Sequence, residues 1–157
     1  MNKTILVDNE LRKKIAIFGA LSSDEIVEIL KYVERKEYKK DNKIFLQNSS
    51  PESIYILESG EIELVHETPN GRYSLKKYGV GDCFGQIALL GILPNLGDCI
   101  SKSDATLLEL SKFSFHRLSK ENSKLFTKLL LNITREICRY NNYITNKFIE
   151  KLEGSVV

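Results

Sequence analysis

The chain changes its hydrophobic period twice, and each change marks a change of structure. Near the amino end Leu11, Ile15 and Phe18 recur at spacings of four and three, the period of a helix face. Ser22 and Glu25 then form a capping box ahead of Ile26, Ile29, Leu30 and Val33. Two short helices are expected over residues 1–36. From Glu37 to about Leu110 the period falls to two, with turn signals roughly every 8 to 12 residues, the pattern of an all-β sandwich or barrel. Lys43 to Leu46, Ser53 to Leu57 and Glu61 to Val65 read as strands, the last two joined through Ser59-Gly60. Asn70-Gly71 predicts a type I′ hairpin, whose central residues both take positive φ, with Tyr73 to Leu75 as its return strand. After an interruption at Phe84 to Pro94, Asp98 to Ile100 and Ala105 to Leu110 complete the set.

Beyond Ser119 no Gly or Pro occurs before Gly154, so one long helix is expected over roughly Glu121 to Leu152 in a C-terminal helical segment, residues 112–157. Phe126, Leu130, Ile133, Ile137, Tyr140 and Ile144 step alternately by four and three, a heptad seam suited to a partner helix. An amphipathic helix lying on its own barrel produces the same stripe. Leu125, Leu129 and Leu131 widen it, which leaves room for both uses.

Composition narrows the class without fixing the function. With 157 residues, 42% of them hydrophobic and 28% charged, the chain has the make-up of a soluble domain with a single core. A net charge of +2 opposes a role in coating nucleic acid. That figure averages an acidic first part, 14 basic and 17 acidic side chains over residues 1–111, with a basic remainder, 9 and 4 over residues 112–157. No base-reading motif accompanies the basic helix. The apolar runs Ile87 to Leu90 and Leu129 to Leu131 fall far short of the ~20 residues that span a bilayer. Met1 to Asp8 lacks the apolar stretch of a secretory signal, and a cytoplasmic location is expected. Cys83, Cys99 and Cys138 are widely spaced and form no C-x-x-C pair, so reduced, mostly buried thiols are expected, with no disulfide framework and no metal site. His66 and His116 are isolated, and no nucleophile with a base, metal cluster or pair of carboxylates can be grouped. No enzyme and no cofactor are expected.

The informative interruption runs from Gly79 to Leu90. It is no dinucleotide fingerprint, because Phe84 stands where the third glycine would be and no parallel βαβ context surrounds it. Small residues leading into a short apolar helical turn expose backbone N–H groups that can hold an anion. The same arrangement also patches an irregular barrel corner.

The string Gly81-Asp82-Cys83-Phe84-Gly85-Gln86-Ile87-Ala88-Leu89-Leu90 resembles the phosphate-binding cassette of the cyclic nucleotide-binding domain, the family of the catabolite activator protein and the protein kinase A regulatory subunit. The likeness extends to Ile54 through Leu64, to Leu107-Leu108-Glu109-Leu110 with Phe115 and Leu118, and to Leu21 through Glu25, covering about residues 18–140. It implies a mainly β fold with flanking helices: an antiparallel, jelly-roll-like β-roll over residues 37–111, with the cassette-like segment at 81–100, short N-terminal helices and a long C-terminal helix. It also implies that the cassette cradles a cyclic nucleotide, cAMP or cGMP, while the long helix dimerises and covers the base. Carried over by position, Phe84, Gly85, Gln86, Ile87, Ala88, Asn95, Leu96 and Cys99 form the ligand-binding set. Gly85 and Ala88 would offer N–H groups to the phosphate. Gln86 takes the place of the family's ribose-binding Glu, and Cys99 falls near a small polar residue that helps hold phosphate or base.

The departures are as informative. Where the family places an arginine on the cyclic phosphate, this chain has Asn95 or Leu96, with Asp98 adding negative charge nearby. A charge-assisted bond of that kind is worth ~1.5 to 3 kcal/mol, roughly 10 to 150-fold in affinity. Arg135, Lys76 and Lys77 are the candidate replacements. Asp41 and Asn48 stand where the family has glycines, and both residue types tolerate the left-handed conformation. Two functions follow as expectations. One is a regulatory or sensor module that binds a cyclic nucleotide or another phosphate ligand weakly. The other is a degenerate domain that binds no nucleotide and acts in dimerisation or protein interaction. Only five residues follow Leu152, so no helix-turn-helix and no DNA-binding output domain is expected in this chain.

Overall fold

The computed structural model describes residues 7–154. Helix α1 (Asn9–Lys14), a 3-10 turn (Ala16–Phe18) and α2 (Ser23–Leu30) precede the strands. The capping box of α2 is formed: Ser22 Oγ accepts from Glu25 N–H, and the Glu25 carboxylate accepts from Ser22 N–H. Eight strands follow: β1 (Glu34–Tyr38), β2 (Lys43–Phe45), β3 (Ser53–Ser59), β4 (Ile62–Thr68), β5 (Gly71–Tyr78), β6 (Cys83–Phe84), β7 (Asp98–Ser101) and β8 (Ala105–Ser111). Between β6 and β7 lies α3 (Gln86–Gly91), and α4 (Lys112–Glu121) and α5 (Ser123–Glu153) end the described chain.

All pairings are antiparallel, in two four-stranded sheets of order β1-β8-β3-β6 and β2-β7-β4-β5. This is the β-roll with a long C-terminal helix. Period two sorts the side chains of β3 and β8 between two cores. Ile54, Ile56, Leu108 and Leu110 face the helices, where they meet Ile17, Ile29, Leu118, Leu129 and Ile133. Tyr55, Leu57, Ala105 and Leu107 face inward against Ile62, Phe84 and Cys99. The first sheet is thus covered on both sides, which is why β3 and β8 read as nearly continuous apolar runs.

Two local expectations need correction. The β4–β5 hairpin forms, but Thr68 pairs with Gly71, so its central residues are Pro69 and Asn70. Proline's ring fixes φ near −65°, which excludes the type I′ turn predicted for Asn70-Gly71. The first strand begins at Glu34 and is almost wholly polar, Glu-Arg-Lys-Glu-Tyr, because it is an edge strand with an exposed face. Asp41 and Asn48 adopt φ of 67° and 62°, the left-handed geometry that lets these turns form without glycine.

Candidate functional site

The cassette segment is held by a tight approach of backbone to sheet. β6 pairs with β3 through Tyr55↔Phe84 and Ile56↔Cys83, and Gly85 then turns the chain into α3. Gly85 has φ of 83°, and a Cβ there would stand 2.6 Å from the Ser53 carbonyl oxygen and 3.0 Å from a Tyr55 ring carbon. Handedness and space both require glycine. No side chain caps α3.

Gly85, Gln86, Ile87 and Ala88 form one wall of a cavity of about 330 Å³. Leu93 to Leu96 form a second wall, and Phe45, Leu64, Lys76 and Tyr78 of the β2-β7-β4-β5 sheet a third. Glu136 and Tyr140 of α5 and Lys14 of α1 complete it, so the cavity joins the roll to the helices at both ends of the chain. The ammonium of Lys76 lies 4.2 Å from the Tyr140 ring centroid and 5.0 Å from that of Tyr78. These cation–π contacts tie α5 to β5 across the cavity.

The sequence-predicted ligand set divides. Gly85, Gln86, Ile87, Ala88, Asn95 and Leu96 are brought together on the cavity wall. Phe84 and Cys99 are not, and the assignment of these two to the ligand surface is corrected. Phe84 is 1% exposed beneath the cassette, its ring 5.1 Å from Tyr55 and 4.8 Å from Tyr78. Cys99 is fully buried in the inter-sheet core, and burial pushes its thiol well above the ordinary range. Cys83 is similarly raised by burial and by the nearby Glu136 carboxylate, whereas Cys138 lies exposed on α5.

The polar side chains near the second wall are committed to the protein. Asn95 is 4% exposed, its amide donates to Ser49 Oγ at 3.0 Å, and its backbone exchanges hydrogen bonds with Asn48 and Ser49. Asp98 is buried, receives Lys43 Nζ at 2.5 Å and Gln47 N–H at 2.7 Å, and does not line the cavity. Burial alone would raise its pKa, but these partners hold the carboxyl below the ordinary range. Its charge is therefore neutralised in place.

Of the candidate replacement cations, only Lys76 reaches the cavity. Arg135 donates to Asn132 Oδ1 at 3.0 Å, and Asn132 in turn donates to the carbonyls of Ile17 and Gly19, so this group fastens α5 to the N-terminal turn. Lys77 sits on β5 across from Glu63. Nothing in the sequence pattern pointed to Lys14, which lines the wall next to Gly81: a Cβ on Gly81 would lie 2.9 Å from that of Lys14. Gln86 is the anomaly on the cavity wall. Its Nε2 reaches the Cys83 carbonyl only at 3.4 Å, and its Oε1 is buried with no hydrogen-bond partner.

The helix seam also divides. Ile133 is fully buried in its own core, and Phe126 and Ile137 pack against the same core. Leu130 is half-buried and Tyr140 lines the cavity, so this half is occupied within the chain. Ile144 continues the stripe at 45% exposure, and Phe148 and Leu152, one turn apart beyond it, are 61% and 52% exposed. From Phe126 to Ile137 the stripe packs on the chain's own core while Phe126, Leu130 and Ile137 stay only half-buried.

No helix among the described residues is long and apolar enough to cross a membrane, and no group of metal-ligating side chains occurs among them. The family model "Cyclic nucleotide-binding domain" matches residues 35–122. A cAMP-dependent protein kinase regulatory subunit from Colletotrichum orbiculare is 29% identical over 106 residues, 68% of this chain but only 27% of that protein. Among solved structures, a cyclic nucleotide-binding domain from Methylobacillus flagellatus superposes with a TM-score of 0.80 at 19% identity, covering 94% of this chain and 84% of that one. The Thermus thermophilus catabolite activator protein gives 0.71 at 22% identity, covering 85% and 62%. From the matched residues, the roll and the cassette turn on Gly85, the chain belongs to the cyclic nucleotide-binding domain family.

Proposed function

We propose that this domain is a ligand-sensing regulatory module. A nucleotide-type small molecule seats in the cavity beside Gly85 to Ala88, and occupancy is read out through α5. The observation that carries this reading is the composite wall: cassette residues, β5 and the middle of α5 border one cavity, so a bound molecule touches both the roll and the helix leaving it. Its volume of about 330 Å³ falls in the roughly 300 to 1,000 Å³ range of small-molecule sites. The exposed stripe of Ile144, Phe148 and Leu152 supports a second copy as partner of the distal half of α5.

Thermal unfolding with millimolar cyclic AMP, cyclic GMP and the corresponding nucleosides tests the sensor. A ligand at 100 times its dissociation constant stabilises the fold by ~2.7 kcal/mol, raising Tm by roughly 5 to 10 °C for a domain of this size. Ala88→Trp, which fills the cavity, should abolish the shift. An unmoved Tm across the whole set sinks the sensor and leaves the degenerate interaction module.

A further inference from the structure

One cation on the cavity wall comes from outside the roll and has nothing beside it to neutralise it. Lys14, the last residue of α1, lines the cavity, is exposed, and makes no ion pair or hydrogen bond among the described residues. Its backbone is nevertheless held fast. Ile15, next in the chain, is 1% exposed in the helix-side core. Gly81, with φ of 93°, lies so close that a Cβ there would stand 3.0 Å from the Lys14 carbonyl oxygen. The stem of Lys14 is thus seated on the turn that leads into the cassette, while its ammonium keeps no partner.

The other charged groups on the wall are engaged. Glu136 accepts from Arg139, and Asp82 Oδ2 accepts from the Gly79 N–H at 2.8 Å. Lys76 faces the Tyr140 and Tyr78 rings rather than a carboxylate. With Arg139 counted beside Glu136, three cations (Lys14, Lys76, Arg139) stand against two carboxylates (Asp82, Glu136), so the balance favours an anion. The Gln86, Ile87 and Ala88 N–H groups add uncapped donors to the same wall. Leu93, Pro94 and Leu96 supply no charge on the second wall, and the Asn95 amide is taken by Ser49. A charge-assisted bond to an unspent ammonium is stronger than the neutral contacts offered there.

We infer that Lys14 is the ligand-selecting residue of this cavity: its ammonium pairs with an anionic group on the bound molecule, so α1 supplies the charge that the wall from Leu93 to Leu96 lacks. This rests on the reading of the cavity as a ligand site.

Calorimetry on the full chain, with cyclic AMP against adenosine and cyclic GMP against guanosine, tests it. Within at least one pair the cyclic nucleotide should bind about tenfold or more tightly than its nucleoside. Lys14→Met, which keeps the length of the stem and removes the charge, should weaken that cyclic nucleotide by about tenfold and leave the nucleoside within about twofold. Lys14→Gln repeats the test should methionine perturb folding, and Lys14→Arg should restore most of the affinity. Lys13→Met is the control, because it removes the same charge from a residue that pairs with Glu10 and does not line the cavity. It should change neither compound. Four results overturn the inference and leave the sensor standing: nucleosides that bind as tightly as their cyclic nucleotides, a Lys14→Met chain that keeps the preference, one that loses both compounds equally, or a Lys13→Met chain that loses as much. Failure of all four compounds to bind overturns the inference and the sensor together.

Discussion

Replacing Gln86 by methionine should make the domain more stable. The Gln86 Oε1 atom is shielded and unpaired, so the folded state bears its desolvation, about 1 to 3 kcal/mol for a neutral polar atom. Against this stands only the Nε2 contact to the Cys83 carbonyl at 3.4 Å, beyond the usual N–H···O range and worth at most ~0.5 kcal/mol. Methionine has nearly the same volume and length, so Gln86→Met removes the polar atoms without opening a cavity. The net expectation is a gain of about 1 to 2 kcal/mol, which raises Tm by roughly 2 to 8 °C for a domain of this size. Urea titration followed by circular dichroism should show a higher midpoint at unchanged slope, the signature of altered stability rather than altered compactness. A Tm equal to or below that of the unaltered chain would refute the reasoning. It would mean that the amide is already satisfied in the fold.

Three further outcomes are expected. Gly85→Ala forces a side chain into a left-handed residue 2.6 Å from a fixed carbonyl, costing about 2 to 4 kcal/mol, whereas Gly79→Ala, with its nearest side-chain atom at 4.0 Å, should stay within ~0.5 kcal/mol of the parent; comparing their urea midpoints checks the difference. The Asp98 carboxyl is held low in the fold, so its contribution is complete above the unfolded value of about 3.9 and is lost as pH falls through the lower folded value; Asp98→Asn should cost about 1.5 to 3 kcal/mol at pH 7, with the gap closing in melts taken below pH ~4. Phe148→Glu with Leu152→Glu should give a monomer by sedimentation at micromolar concentration while leaving Tm of the roll nearly unchanged, whereas Ile133→Glu, fully buried in its own core, should unfold the domain; a monomeric parent chain refutes the partner assigned to the distal helix.

The parts of the fold legible in the sequence are those where local chemistry and burial agree. The capping box at Ser22 and Glu25, the apolar runs of β3 and β8 and the long helix free of Gly and Pro are all of this kind. β1 was hidden because an edge strand need not alternate: its Glu109 neighbour is buried, but Lys36 and Tyr38 reach across to satisfy that carboxylate while the rest of the strand stays wet. At the site, the cassette residues were visible through their order along the chain. Their depth was not. Phe84 lies between the cavity-lining Cys83 and Gly85, yet side chains alternate across a strand, and Phe84, like Cys99 on β7, turns into the inter-sheet core. The helix stripe shows the same limit from another side, since a heptad pattern reports an apolar face without saying whether the roll or a second chain covers it.

Along the second wall the fold itself commits some side chains and leaves others uncommitted. An acid at position 98 would be costly beside a phosphate, and as a buried, unpaired group it would be costly in any state. Here Lys43 and the Gln47 amide satisfy it away from the cavity, so Asp98 ties the chain before β3 to the start of β7 instead of acting on a ligand. Asn95 behaves likewise, linking its own segment to Ser49. The polar groups around the second wall therefore stabilise the roll whether or not the cavity is filled. Leu96 differs from both, because it lines the cavity, is largely exposed and has no polar commitment to lose. A change of charge at Leu96 can alter which molecule is held with little cost to folding, and a change at Asn95 or Asp98 cannot. In the proposed sensor, ligand class is thus set by the few wall positions that the fold does not otherwise use.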